Sequence, residues 1–90
     1  MLRYRLCEGV DTQTLDDGLL LLDLSGNAYY ALNASARWFF EQLRSGMSEA
    51  AILNAAGTRY QSISSEKLAS DLRTLITDLE SRHLIRAEEA

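Results

Sequence analysis

Leu19-Leu20-Leu21-Leu22-Asp23-Leu24-Ser25-Gly26-Asn27-Ala28-Tyr29-Tyr30-Ala31-Leu32-Asn33 holds two apolar runs of strand length on either side of a Ser-Gly-Asn break. Gly and Asn supply the positive φ angles that a tight turn requires, so the two runs read as a hairpin. Upstream, Asp16-Asp17-Gly18 separates Thr12-Gln13-Thr14-Leu15 from the leucine run. An Asp-Gly step between strand-like runs is a second hairpin signal. The two hairpins share the leucine strand, which predicts a three-stranded antiparallel meander.

After Asn33 the apolar period changes from that of strands to that of helices. Asn33 can accept from the free amides of a helix over 34–45, whose Ala36, Phe39, Phe40 and Leu43 form one stripe; Gly46 ends it. Ser48 caps a shorter, alanine-rich helix that runs to about Arg59. Ser64 or Ser65 caps a third, in which Leu68, Leu72, Leu75, Ile76 and Leu79 repeat at helical spacing. Leu84-Ile85 stands between His83 and a charged tail, Arg86 to Glu89, and is expected to tuck under the body. The expected fold class is α+β: a three-stranded meander followed by three α-helices, the arrangement of winged helix-turn-helix domains.

The chain has 90 residues, enough for one domain over 1–90 and too few to divide a core between two. Apolar residues at 47% and charged residues at 24% exclude disordered and low-complexity classes. The formal charge is −4, and across 66–82 Lys67, Arg73 and Arg82 face Glu66, Asp71, Asp78 and Glu80. A groove-reading helix carries a basic excess, so nucleic acid is not an expected partner. Neither a signal-like N-terminus nor an apolar run of spanning length occurs, so no membrane association and a cytoplasmic location are expected.

Catalytic, metal and cofactor sites are expected to be absent. His83 and Cys7 are the only imidazole and thiol, at opposite ends of the chain. Cys7 reads as a small hydrophobe on a strand and His83 as a cation at the end of the third helix. Asp16-Asp17 reads as a turn rather than a shared-proton pair. No phosphate loop, zinc motif or calcium loop is present.

The outer strand of the meander, Ala28-Tyr29-Tyr30-Ala31-Leu32, carries neither charge nor proline. Edge strands are normally guarded by such residues, because their unpaired amides recruit other chains. Two explanations stand: the domain's own helices bury the strand, or it is a template for an incoming peptide. Alternation sends one of Tyr29 and Tyr30 inward and the other outward. Proline at Tyr30 is expected to remove a donor that such a peptide would use. A second copy of the chain, pairing edge to edge, is the homodimeric alternative. Trp38 beside Phe39-Phe40 sits at the margin of a wide buried face or contacts a partner.

The run 20–33, the helix containing Trp38, the Gly46-Met47-Ser48 break, the alanine-rich helix, Tyr60, and Asp71-Leu72 with Leu75, Ile76, Leu79 and Leu84-Ile85 together resemble PqqD-like proteins over about residues 4–85. These are recognition elements for the precursors of ribosomally made, modified peptides. The resemblance implies a non-catalytic domain that binds the leader segment of a precursor as a strand added to the third β-strand, beside the third helix. Carried over by position, Ala28, Tyr29, Tyr30, Ala31 and Leu32 would pair with the leader, and Asp71, Leu75 and Asp78 would contribute side chains. One flank of the third helix carries Lys67, Asp71, Thr74 and Asp78, the other Ala69, Arg73, Ile76 and Glu80. Asp71 falls at an acidic position of the family pattern, which favours the first. The short approach to the first strand resembles stand-alone recognition proteins of lasso-peptide clusters, which would partner a leader peptidase and a cyclase. A radical SAM maturase of a pyrroloquinoline-quinone-like pathway is the alternative partner, and a winged-helix DNA-binding regulator the alternative function.

Overall fold

The structure, a computed structural model, describes residues 2–89. Along the chain it comprises β1 (Leu2–Leu6), β2 (Val10–Thr14), β3 (Leu19–Asp23), β4 (Ala28–Leu32), α1 (Ala34–Arg44), α2 (Glu49–Arg59), α3 (Ser65–Ser81) and β5 (Ile85–Glu89). The expected meander is β2-β3-β4, with β3 central, and three helices follow it. Two further strands are present. β1 and β5 form a separate antiparallel sheet with Tyr4 opposite Ala87 and Leu6 opposite Ile85. The charged tail expected at Arg86 to Glu89 is therefore strand throughout, paired with Leu2 to Arg5. Alternating charge in β5 hides a strand whose stability comes from its partner rather than from its own apolar content.

Side-chain oxygens cap all three helices: Asn33 accepts from the Ala36 amide at 2.9 Å, Ser48 from Ala51 at 3.2 Å and Ser64 from Lys67 at 3.1 Å. α1 ends at Gly46, whose φ is +92°, with the Gly46 and Met47 amides donating to Leu43 and Gln42. α3 ends in the same way, but the left-handed residue is His83, φ +58°. The His83 amide donates to Glu80 at 3.0 Å and that of Leu84 to Leu79 at 2.9 Å, and Leu84 and Leu79 are both buried. These paired bonds form a Schellman closure. The His83 backbone thus turns the chain into β5, a role that its expected service as a cation did not include. Cys7 lies one residue beyond β1 rather than on it, half-buried, its amide donating to the Leu84 carbonyl at 3.0 Å.

The core is apolar, and no polar or charged side chain is buried among the described residues. Leu19, Leu21 and Leu32 cover the sheet's inner face, Phe39, Phe40 and Leu43 come from α1, and Leu68, Leu72, Leu75, Ile76 and Leu79 from α3. Leu84 and Ile85 are buried, as expected. Trp38 lies at the margin, half-buried, with its ring edge-on to Phe39 at 5.4 Å and to Tyr60 at 5.8 Å. In the β3–β4 loop Asn27, not Gly26, takes the positive φ, at +52°. Gly26 is required for a different reason: its amide donates to Asp23 Oδ1 at 3.0 Å, and a Cβ there would meet the same carboxylate.

Candidate functional site

Hydrogen bonding in the first hairpin fixes which groups of β4 are free. Leu15 and Gly18 exchange both amide bonds, at 3.2 and 3.1 Å, and the Leu24 amide donates to Gly9 at 2.9 Å. Hydrogen-bonded pairs alternate along an antiparallel ladder, so Leu20, Leu22 and Leu24 bond toward β2. The intervening residues of β3, Leu19, Leu21 and Asp23, therefore bond toward β4, where they face Leu32, Tyr30 and Ala28. The amides and carbonyls of Tyr29 and Ala31 are left pointing away from the sheet along its open edge. This corrects the expectation for proline at Tyr30: that amide belongs to the sheet itself, and the free donors are its two neighbours.

Alternation of side chains sends Tyr30 inward with Leu32 and Tyr29 outward with Ala31. Tyr29 is accordingly 72% exposed, whereas Tyr30 packs against the core. The Tyr30 hydroxyl donates to Asp78 Oδ2 at 3.3 Å, and the Arg82 guanidinium lies over the Tyr30 ring, 4.7 Å from its centroid. Burial raises the Tyr30 pKa above its ordinary 10.0; the Asp78 carboxylate, by its charge and as acceptor, adds to the rise, and Arg82 opposes it. Tyr30 thus ties β4 to α3 and divides the space between them in two.

Just beyond the Leu32 end of β4, between the start of α1 and α3, lies a cavity of about 330 Å³, lined by Asn33, Ser35, Ala36 and Phe39 on one side and Lys67, Asp71, Thr74 and Leu75 on the other. Its lining is mixed: Ala36, Phe39 and Leu75 are apolar, and Lys67 and Asp71 form an ion pair at 2.7 Å. At the Ala28 end a small cavity of about 40 Å³ is bordered by Asp23, Ala28, Tyr29, Tyr30, Arg82 and Leu84. A larger hollow of about 450 Å³ flanks the opposite edge, β2, but differs in character. There the strand presents Asp11, Thr12, Gln13 and Thr14, and Arg37 and Glu41 are paired at 2.6 Å. Of the two edges of this sheet, β4 is the one whose strand carries no charge.

All eight residues named from the sequence lie on this side of the molecule. Asp71 and Leu75 line the cavity between α1 and α3, Asp78 meets Tyr30, and β4 forms the edge. The side chains of Tyr29 and Ala31 turn away from it. Thr74, which the sequence placed on the same flank as Asp71, lines the cavity with Asp71 and Leu75, and Ala36, Phe39 and Arg82, not named for this side from the sequence, lie here too. The row Lys67, Asp71, Thr74, Asp78 reaches Arg82 by one more step of four, so the signal was present in the helical period. Among the described residues no cluster of His, Cys, Asp and Glu could hold a metal ion, and no helix is long and apolar enough to cross a membrane.

Comparison with solved structures finds the same fold in two complexes. One, described as lasso peptide synthetase B1 complexed with the leader peptide, superposes with a TM-score of 0.86 at 24% identity, covering 93% of this chain and 98% of that one. The other, TbiB1 in complex with the TbiA(beta) leader peptide, gives 0.82 at 24% identity, covering 91% and 94%. No curated protein sequence matches. The sequence profile of Coenzyme PQQ synthesis protein D (PqqD) matches residues 18–85, from the glycine just before β3 to the first residue of β5. The chain belongs to the PqqD family.

Proposed function

We propose that this protein is a non-catalytic recognition domain, spanning residues 1–90, for the leader segment of a ribosomally made precursor peptide. The leader adds as a strand to β4, and its inward side chains enter the space between β4 and α3. The observation that carries the reading is the open edge of β4: Tyr29 and Ala31 present unpaired backbone groups on a strand with no charge or proline to deter pairing. The leader complexes of the two structures sharing this fold support it. Ala28 to Leu32 supply the pairing surface, and Asp71, Leu75 and Asp78 the helix side of the groove. Binding raises the effective concentration of the attached core peptide at the maturation enzymes, a leader peptidase and a cyclase of the cytoplasm.

Amide NMR titration of the labelled protein against leaders of candidate lasso-type precursors tests this, with a DNA duplex as control. Shifts confined to Ala28 through Leu32 and α3 with one peptide are expected. Response to the duplex alone would make the chain a winged-helix regulator. Sedimentation of the free protein separates strand addition from self-pairing, because a second copy on the same edge gives a mass that rises with concentration.

A further inference from the structure

The face of α3 turned toward β4 carries a fixed charge sequence: Lys67, Asp71, Thr74, Asp78, Arg82. Lys67 is paired with Asp71 at 2.7 Å, and Asp78 accepts from Tyr30 at 3.3 Å. Arg82 makes no ion pair among the described residues; its guanidinium lies over the Tyr30 ring and borders the small cavity at the Ala28 end. Asp23 borders the same cavity, but its Oδ1 already accepts from the Ser25 hydroxyl at 2.9 Å and the Gly26 amide at 3.0 Å. An arginine held over an aromatic ring keeps its edge donors available for a carboxylate. We propose that Arg82 is a specificity-determining residue that selects an acidic side chain in the bound peptide, in fixed spacing from an apolar one.

The spacing follows from β4 and rests on the strand-addition reading. Inward positions of an added strand fall beside Leu32, Tyr30 and Ala28, two residues apart, and Leu32 and Ala28 are separated by about 13 Å at the usual strand rise. Beyond Leu32 the guest meets the cavity between α1 and α3, where Ala36, Phe39 and Leu75 offer apolar contact to a bulky side chain. Beside Tyr30 the phenol reaches across to Asp78, and only a small side chain passes. Beside Ala28 the guest meets Arg82. β4 runs from Ala28 to Leu32, so an antiparallel guest reads bulky apolar, any, small, any, acidic from its N-terminus.

Selection from an mRNA-displayed library of random 15-residue peptides on the full chain tests the pattern. Enrichment of that five-residue pattern is expected, and Arg82→Glu should convert the acidic position to Lys or Arg. In titrations of one enriched peptide, changing its acidic residue to Lys should weaken binding to the native protein roughly fivefold and be compensated by Arg82→Glu. Arg82→Gln, which leaves no like charge at the helix end, should lose the acidic preference and keep the apolar one. Peptides enriched without an acidic residue four positions from the apolar one, or with an acidic preference unchanged in Arg82→Glu, would overturn the role of Arg82 and leave strand addition standing. No enrichment at all would overturn both.

Discussion

Proline scanning of β4 separates the two roles that the ladder assigns to neighbouring residues. Ala31 has its amide on the open edge and its side chain exposed, so Ala31→Pro removes a donor that nothing in the free protein uses. A net hydrogen bond contributes about 0.5–1.5 kcal/mol, so peptide affinity should fall about twofold to tenfold, more if the ring also blocks approach of the guest strand. The urea midpoint of the free domain should move little. Tyr30→Pro acts on the other side of the strand. It removes the amide paired with Leu21, leaves a buried carbonyl without its donor and deletes the Tyr30–Asp78 contact. Together these cost about 2–4 kcal/mol of a total stability of about 5–15 kcal/mol. The assay is fluorescence anisotropy with a labelled leader, beside urea unfolding of each variant. If Ala31→Pro bound the peptide as tightly as the native chain, the leader would not be pairing with this edge. If Tyr30→Pro were as stable as the native chain, the assigned ladder phase would be wrong.

Three other outcomes follow from the geometry. His83→Gly should raise stability by about 1 kcal/mol in urea unfolding, because glycine adopts the left-handed φ of +58° without a Cβ conflict. Leu21→Ala, at a position with 0% exposure in the central strand, should cost about 2–5 kcal/mol, seen as a lower denaturation midpoint with the slope unchanged. The pH dependence has a definite sign. Burial first, then a carboxylate partner, raises the pKa of both Tyr4 and Tyr30 above 10.0. The unfolded chain then releases these protons first, so their contribution is complete below pH 10 and is lost as pH rises through the elevated values. Denaturation midpoints from about pH 9 to 11.5 should fall more steeply for the native chain than for the double variant Tyr4→Phe, Tyr30→Phe.

Local signals determined most of the secondary structure. The Asp-Gly and Ser-Gly-Asn breaks, the caps Asn33, Ser48 and Ser64, and the leucine period of α3 act between residues close in the chain, so the sequence displays them directly. Gly46 closing α1 is legible for the same reason. At His83 the same closure is built without glycine, and no residue type announces it.

Pairing between distant residues is another matter. β5 forms because residues 2–6 lie beside 85–89, and neither segment carries a strong strand pattern alone. The bare strand of β4 was visible in the sequence, whereas the helical period offered two flanks of α3 and the family resemblance alone favoured the one with Asp71. The sequence left open which tyrosine turns inward, because a shift of one residue exchanges the faces of a strand. The reciprocal bonds of Leu15 and Gly18 set that phase, and with it the assignment of Tyr29 and Ala31 to the open edge. A Cβ on Gly18 would collide with the Leu32 carbonyl, so the same residue that closes the first hairpin also sets how closely β3 approaches β4. Residue types and their periods supplied the parts of the groove. Tertiary packing decided which of their backbone groups were left unpaired, because a hydrogen bond is used or free only with respect to the strand beside it.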